Sequence, residues 1–366
     1  MNGQKKKIHL AVTNGLAFDQ RMTRICTSLH QAGYEVCLVG IQTSHPPPHR
    51  PYQQVRLSCW FKKGKLFYLE NHLRLFFFLL FQRTDLLVAN DLDTALPVWL
   101  ASTFKNVPRL MDAHEYYTEM KEVMSRPMIF KIWSALANFL IPRFPIGYTV
   151  GPLIGKKLKD AYGVHYGIVR NVPVKRPLLE RNESSNPFLL YQGAVNEGRG
   201  FEILIPAMKH IPYRLVICGD GNYMDKLKKL IQSENVSERV QLTGMITPDA
   251  LRKYAMEASL GVFLPEQEGS NQYLALPNKF WDNMEAGLPQ IAFRYPEYEQ
   301  INKEFPIALL LDERDPKSIA ESICKLMVDA EKRAEMTNAC RQAREKYCWQ
   351  NEEYRLLTVY NQIFGS

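Results

Sequence analysis

The stretch Ile8-His-Leu-Ala-Val-Thr-Asn-Gly-Leu-Ala-Phe-Asp-Gln-Arg-Met-Thr-Arg-Ile-Cys-Thr-Ser-Leu-His-Gln-Ala-Gly-Tyr-Glu-Val-Cys-Leu-Val39 decides the fold class. Ile8–Val12 is a short apolar run of the kind a buried strand needs. Asp19–Ala32 has helical apolar spacing and is closed by Gly33, and Val36–Val39 is a second apolar run. Strand, helix and strand in this order form a β-α-β unit, and the rhythm extends outward from it. Strands are expected at 85–89, 109–111 and 147–150, with helices at 94–103 and 118–140. The polar, Pro-containing stretch Pro173–Pro187 interrupts the pattern and reads as a linker. Beyond it, strands at 188–191, 214–218, 240–242, 260–264 and 290–293 alternate with helices at 200–208, 223–235, 248–258 and 279–286. Helices fill 316–346, and an amphipathic segment, Trp349–Ile363, follows. The expected class is α/β, with two open, mostly parallel sheets carrying helices on both faces. The division is an N-terminal domain over 1–173, a linker over 174–187, a C-terminal domain over 188–346 and a last helix over 347–366.

The chain has 366 residues, room for about two domains. Its 46% hydrophobic and 23% charged residues argue against disorder, and 20 glycines without a period exclude a collagen-like chain. Residues 1–174 hold 22 basic and 11 acidic side chains, whereas 175–366 hold 24 and 27. The basic excess therefore belongs to the first half and points to an anionic partner there, a nucleic acid or an anionic membrane surface. Seven cysteines form no C-x-x-C pair and read as buried thiols in a reducing cytosol. The lysine-rich start runs into Ile8–Val12, too short for a signal peptide, and Leu75–Phe81 is far below the roughly 20 residues of a spanning helix. A cytoplasmic chain that does not cross a membrane is expected.

Ligand loops of such sheets lie at the carboxyl ends of strands. Asn14-Gly15-Leu-Ala-Phe-Asp19 follows the first strand and fails the G-x-G-x-x-G fingerprint; Gly219-Asp-Gly221 lacks the third glycine, and no Walker A loop occurs. A nicotinamide or P-loop enzyme is disfavoured. Gly193-Ala-Val-Asn-Glu197-Gly198-Arg199-Gly200 opens the second domain, its glycines allowing close backbone approach and Arg199 offering a forked grip on phosphate. A glycine-rich turn with no ligand would look the same. Pro277-Asn278-Lys279 suits a helix start, with Asp282 on its first turns: a carboxylate for a ribose or sugar diol and a lysine for phosphate, or simply a capped helix with surface charges. Asp91-Leu-Asp93 and Asp112-Ala-His114-Glu115 also follow strands, where a histidine flanked by acids can move a proton or bind a sugar hydroxyl. No other histidine stands at a metal-ligand spacing from His114, and neither a metal nor a cofactor is expected.

Taken in order, Gly193…Glu197-Gly-Arg199-Gly200, Val216-Ile-Cys-Gly219-Asp-Gly221, Val240-Gln-Leu-Thr-Gly244, Leu276-Pro-Asn-Lys-Phe-Trp-Asp282…Ala286-Gly287 and a closing Trp349…Tyr360 helix resemble family-4 retaining glycosyltransferases of GT-B fold (group 1 glycosyltransferases). Asn14…Asp19-Gln-Arg21, Ala89-Asn-Asp-Leu-Asp93-Thr and Asp112-Ala-His114-Glu115 are similar to the same family, so the likeness covers nearly the whole chain. It implies two Rossmann-like domains facing a cleft and a last helix crossing back to the first domain. A nucleotide-diphosphate sugar would lie on the second domain and an acceptor on the first, with transfer under retention and no metal. By position, Asp282 would hold the ribose, Arg199 the diphosphate and His114 the transferred sugar; Asp112 and Glu115 flank it as catalytic candidates. Gly193, Glu197 and Asn278 join the donor side, and Asn14, Gly15, Asp19 and Asp93 the acceptor side. Lys279 beside the diphosphate is inferred from its place at the helix start. Where the family has two glutamates eight positions apart, this chain has Leu274 and Asp282, with Glu266 or Glu268 as substitutes for the first; the usual Gly-Arg is Gly193-Ala194.

Trp60-Phe-Lys-Lys-Gly-Lys and the apolar run within His72–Phe81 suggest an anionic membrane contact through 60–81, suited to a lipid-linked saccharide acceptor in cell-surface polysaccharide synthesis. All-round apolarity favours inward packing for Leu75–Phe81 itself. The expected location is cytoplasmic, peripheral on the inner face of the membrane, with no nucleic acid bound. The competing readings are a nucleotide-sugar epimerase of the same architecture and a non-catalytic sugar-nucleotide-binding protein.

Overall fold

A computed structural model describes residues 5–177, 181–267 and 269–365. It divides into two compact units: Met1–Asn171 with Gly269–Asn271 and Gln350–Ser366, and Val172–Glu268 with Gln272–Trp349.

The first unit begins with the expected β-α-β: β1 (Lys7–Ala11), α1 (Gln20–Gln31) and β2 (Glu35–Ile41). β3 (Gln53–Leu57), α2 (Gly64–Phe81), β4 (Leu86–Asn90), α3 (Leu92–Lys105) and β5 (Arg109–Ala113) follow. Then come α4 (Lys121–Met124), α5 (Pro127–Leu140), β6 (Gly147–Thr149), α6 (Pro152–Tyr162) and β7 (Gly167–Ile168). The sheet is parallel, in the order β3-β2-β1-β4-β5-β6-β7. β1 and β4 are buried almost throughout, hence their unbroken apolar sequence. β3 is an edge strand, only partly covered, and so carries no apolar run to betray it.

The single helix expected over 118–140 is broken. A 3-10 turn at Tyr117–Glu119 and the short α4 precede α5, which starts at Pro127. A proline ring has no N–H to give to the preceding turn but fits the first turn of a new helix. Inward packing of Leu75–Phe81 is also corrected. α2 buries Asn71, Leu75 and Leu79, while Leu66, Leu69, Leu73, Phe77 and Phe81 line its outer side, Phe81 being 77% exposed. An apolar sequence all round the helix hid a one-sided burial.

The second unit runs β8 (Phe188–Gln192), α7 (Phe201–Ala207), β9 (Arg214–Cys218), α8 (Met224–Ser233), β10 (Val240–Gly244), α9 (Pro248–Glu257) and β11 (Leu260–Phe263). After α10 (Gly269–Tyr273), whose residues Gly269–Asn271 belong to the first unit, come α11 (Asn278–Glu285), β12 (Gln290–Phe293), α12 (Pro296–Glu304), β13 (Ala308–Leu311), α13 (Pro316–Val328) and α14 (Ala330–Lys346). Its parallel sheet has the order β10-β9-β8-β11-β12-β13. The helical block 316–346 is two helices, because the Asp329 carboxylate accepts the Lys332 N–H at 2.8 Å and starts α14 afresh. Finally α15 (Trp349–Phe364) contributes to the first unit: Glu352 accepts the Arg170 backbone N–H at 2.9 Å, and the Tyr360 hydroxyl lies 3.4 Å from that of Tyr148.

The first unit is pinned internally by a forked ion pair. Arg21 Nη2 and Nε donate to the two Asp112 oxygens at 2.7 and 2.9 Å, and neither side chain is more than 4% exposed. Removing one partner of such a pair strands a buried charge, at about 3–5 kcal/mol. Arg21→Met should lower the stability of the first unit by that order in urea unfolding; a loss well under 1 kcal/mol would show that the pair is dispensable.

Candidate functional site

In the first unit the strand order reverses between β1 and β4, where the loops at their carboxyl ends diverge and open a place for a ligand. The loop after β1 is held by its own polar side chains. Asn14 Nδ2 donates to Asp19 Oδ2 at 2.6 Å, Asn14 Oδ1 accepts the Leu16 N–H at 2.9 Å, and Asp19 caps α1 through the Met22 N–H at 2.9 Å. A Cβ on Gly15 would run into Thr43, so the loop can lie against Thr43 only with glycine there. Asn14, Gly15 and Asp19 thus shape the loop. Thr13 Oγ1 donates to Asp93 and ties this loop to the one after β4.

Asp91 organises the rest. Its backbone is left-handed, φ 56°, a strained position for a non-glycine residue, and its Oδ1 accepts the N–H groups of His114 at 3.0 Å and Glu115 at 3.1 Å. Its Oδ2 lies 2.9 Å from His114 Nδ1, an ion pair with the protonated ring. Burial alone would lower the His114 pKa; the charge of Asp91 outweighs it and carries the pKa to about 10. With its side chain 34% exposed, His114 is an imidazolium at neutral pH. It is a hydrogen-bond and proton donor, not a base.

Asp93 shows the opposite bias. Burial first, and then the charge of Asp91, raise its pKa to about 7, while the Thr13 bond and His114 pull it back in part. Asp93 therefore stands near its midpoint at neutral pH. Asp112, a catalytic candidate from the sequence, is corrected: it is fully buried, with both oxygens on Arg21, and cannot meet a ligand. Glu115 accepts Asn271 Nδ2 at 3.1 Å, and Asn271 Oδ1 accepts the Tyr116 N–H at 2.7 Å, so Glu115 secures the Gly269–Asn271 segment.

The second unit has its own reversal, between β8 and β11. The glycine loop after β8 touches the segment after β11: the Glu266 N–H donates to Gly198 O at 3.0 Å, and a Cβ on Gly200, at φ 81°, would collide with the Leu264 carbonyl. Gly193, at φ 109°, leaves room for Lys279, whose Cε would be 3.1 Å from a Cβ there. Lys279 Nζ donates to the Tyr191 hydroxyl at 2.6 Å and lies 4.1 and 4.8 Å from the ring centres of Tyr191 and Phe263. Burial and the nearby Arg199 hold the Lys279 pKa well below the ordinary lysine value, with Asp282 pulling the other way. Neither Arg199 nor Lys279 makes an ion pair with a carboxylate among the described residues. Asn278 is exposed at the first position of α11 and Asp282 is half-buried on it, whereas Glu197 is exposed and paired with Lys226. Leu274 is half-buried, Glu266 is placed as above, and Glu268 lies outside the described residues.

Sequence reading missed the side chains that seat α11. Gln192 Nε2 donates to Asn283 Oδ1 at 2.6 Å, Asn283 Nδ2 to Gln290 Oε1 at 3.1 Å and Gln290 Nε2 to Phe280 O at 3.1 Å, all buried. The available signal was three amides inside otherwise apolar runs. Among the described residues no group of three or more His, Cys, Asp or Glu could hold a metal ion.

Residues 179–343 match the family model of glycosyl transferases group 1. The second unit carries a glycosyl transferases group 1 domain. An uncharacterized glycosyltransferase of Methanocaldococcus jannaschii is 24% identical over 182 residues, 50% of either chain. The GDP-mannose-dependent alpha-(1-6)-phosphatidylinositol monomannoside mannosyltransferase of Mycobacterium tuberculosis is 28% identical over 153 residues, 39% of either chain. The chain spans half or less of the length of these curated relatives. The structure of sucrose-phosphate synthase from Thermosynechococcus elongatus superposes with a TM-score of 0.80, over 99% of this chain and 100% of that one, at 18% identity. That likeness shows the fold: two Rossmann-like domains of GT-B type.

The charge on His114 has a pH signature. Because its folded pKa exceeds the ordinary 6.5, the ion pair's stabilisation is complete below about 6.5 and is lost as pH rises through about 10. In an NMR titration the His114 ring should stay protonated through pH 8. In Asp91→Asn, where burial acts with less opposition, its pKa should drop by roughly three units. A wild-type ring that is neutral at pH 8 would refute the donor assignment.

Proposed function

We propose that this protein is a family-4 retaining hexosyltransferase. It moves a sugar from a nucleotide-diphosphate sugar to a saccharide or lipid-linked saccharide in cell-surface glycoconjugate synthesis. The observation that carries the reading is the pair Arg199 and Lys279, two basic side chains on a glycine loop and a helix start with no carboxylate ion pair among the described residues, where burial works against the charge on Lys279 until an anion arrives. Breaking a bond to a diphosphate builds negative charge on the leaving oxygen, and fixed cations already in place lower that barrier without reorganising. In this reading Arg199 forks onto the diphosphate and Lys279 adds a point charge beside it, supplying what a metal ion would otherwise supply. Asp282 takes the ribose hydroxyls, with Gly193 and Asn278 bordering the same surface. On the first unit, His114 donates to a hydroxyl of the transferred sugar, and Asp93 accepts from the acceptor side.

A nucleotide-sugar donor is supported by the mannosyltransferase relative, which is GDP-mannose-dependent by name and uses a phosphatidylinositol monomannoside. The group 1 domain and the names of the relatives favour transfer over the epimerase alternative. A lipid-linked acceptor is also supported by α2, whose outer apolar stripe stands next to Trp60, Lys62, Lys63 and Lys65. A face both apolar and cationic suits an anionic bilayer surface. No helix among the described residues is long and apolar enough to cross a membrane, so the proposed hold is peripheral, on the cytoplasmic side.

Arg199→Ala and Lys279→Ala should each weaken nucleoside-diphosphate binding by about 10- to 100-fold, the worth of one charge-assisted bond, read from thermal stabilisation against ligand concentration. Asp282→Ala should weaken nucleosides and nucleotides alike. Wild-type affinity in all three variants would sink the donor site. For the membrane face, Leu73→Asp/Phe77→Asp should abolish co-sedimentation with anionic vesicles at low salt while thermal stabilisation by nucleotide persists; a wild type that fails to sediment removes this part of the reading.

A further inference from the structure

A cavity of about 320 Å³ lies in the second unit at the amino ends of β11 and β12, bordered by Ser259 and Pro289 just before those strands. The glycine loops follow the strands, so the cavity and the donor loops stand at opposite ends of the same sheet, roughly 13 Å of strand apart. One face of α14 forms its far wall, with Arg333, Thr337 and Arg341 at four-residue steps, and Arg181 and Glu183 complete it.

Two of the three arginines have structural duties. Arg181 donates to Ala255 O at 3.3 Å and to Ala258 O, closing the end of α9, and Arg333 donates to Leu326 O at 3.1 Å and to Met327 O, closing α13. Glu183 lies 3.5 Å from Arg333 and offsets one charge. Arg341 is exposed and has no ion pair among the described residues. Three guanidinium groups therefore share one carboxylate, and Arg333 and Arg341 both act to lower the Arg181 pKa, after burial, which is the largest cause. Independently of charge, the Ser259 hydroxyl borders the cavity, is 1% exposed and finds no hydrogen-bond partner among the described residues. A buried hydroxyl with its hydrogen bond left unmade is disfavoured, so a ligand atom that meets it is favoured.

We infer that this cavity is a second anion site, separate from the donor loops, that takes the phosphate group of a small phosphorylated molecule. Guanidinium forks match phosphate oxygens, the Ser259 and Thr337 hydroxyls add donors, and the volume is at the lower end for small-ligand pockets, too small for a polymer.

The test uses the full chain with Arg199→Ala/Lys279→Ala as background, which removes the cations proposed for the donor, and inorganic phosphate as probe, with chloride at matched ionic strength as control. Phosphate binding, followed by ³¹P line broadening, should persist in that background. Adding Arg341→Gln should raise the Kd about tenfold, and adding Ser259→Ala should raise it severalfold. Arg341 is exposed, so its loss leaves the fold intact, which circular dichroism checks. Absence of phosphate binding in the background, or a Kd unmoved by Arg341→Gln, overturns the inference.

Discussion

Reversal of strand order within a parallel sheet is the constraint on which the chemistry depends. Where β1 meets β4, and again where β8 meets β11, the helices that follow must leave on opposite faces. The backbone at those strand ends is then uncovered, and it must be satisfied by side chains or by a ligand. In the first unit the side chains do it: Thr13 reaches Asp93, and Asp91 collects the N–H groups of His114 and Glu115. In the second unit backbone meets backbone, Glu266 on Gly198, at an approach so close that Gly200 tolerates no side chain. Glycine is there because the two loops must touch.

The same topology produces opposite electrostatics in the two units. In the first, Asp91 is matched by His114 and Asp112 by Arg21. The match with Asp91 keeps His114 an imidazolium, while burial and the Asp91 charge leave the neighbouring Asp93 near its midpoint. In the second, Lys279 is held by a phenol and two aromatic rings, while its burial and the neighbouring Arg199 work against the ammonium form. Arg199 beside it makes a second charge of the same sign. Such a pair is unfavourable in isolation and becomes favourable when an anion arrives. The unpaired state is therefore an argument for a ligand that a paired one would not be.

Most of the fold was legible because strands buried on both faces leave continuous apolar runs, as in Leu86–Asn90 and Leu260–Phe263. β3 was not, since an edge strand half in solvent reads Gln-Gln-Val-Arg-Leu, and α12 was hidden by its polar sequence. Helix breaks at Pro127 and Asp329 are local chemistry that a coarse apolar period smooths over. Among site residues, the positions after strands could be named from topology alone, but their roles could not. Asp112 and His114 are two residues apart and equally polar in sequence; only the fold reveals that Asp112, within β5, meets Arg21 and that His114, just past its end, meets Asp91. The Gln192–Asn283–Gln290 chain joins positions up to 98 apart, beyond the reach of any local pattern.

The basic excess of the first half acquires a location once the paired cations are set aside. Arg21, Lys7, Lys157 and Arg170 are each within an ion pair inside the first unit. Lys63, Lys65, Arg83, Arg126 and Lys131 are exposed and have no carboxylate partner among the described residues. All five lie on or beside α2 and α5, whose outer sides also present Leu69, Leu73, Phe77, Met128, Ile132 and Phe139 to solvent. Tyr68 of α2 meets Trp133 of α5 with ring centres 5.6 Å apart, so the two helices make one surface. Exposed apolar area on this scale is disfavoured in water, and clustered positive charge without counter-charge is disfavoured too. A surface of anionic lipid relieves both at once, which a nucleic acid, offering charge but little apolar contact along its backbone, does not. The imbalance counted in the sequence thus bears on the proposed membrane contact through its coincidence with apolar exposure, not through its size.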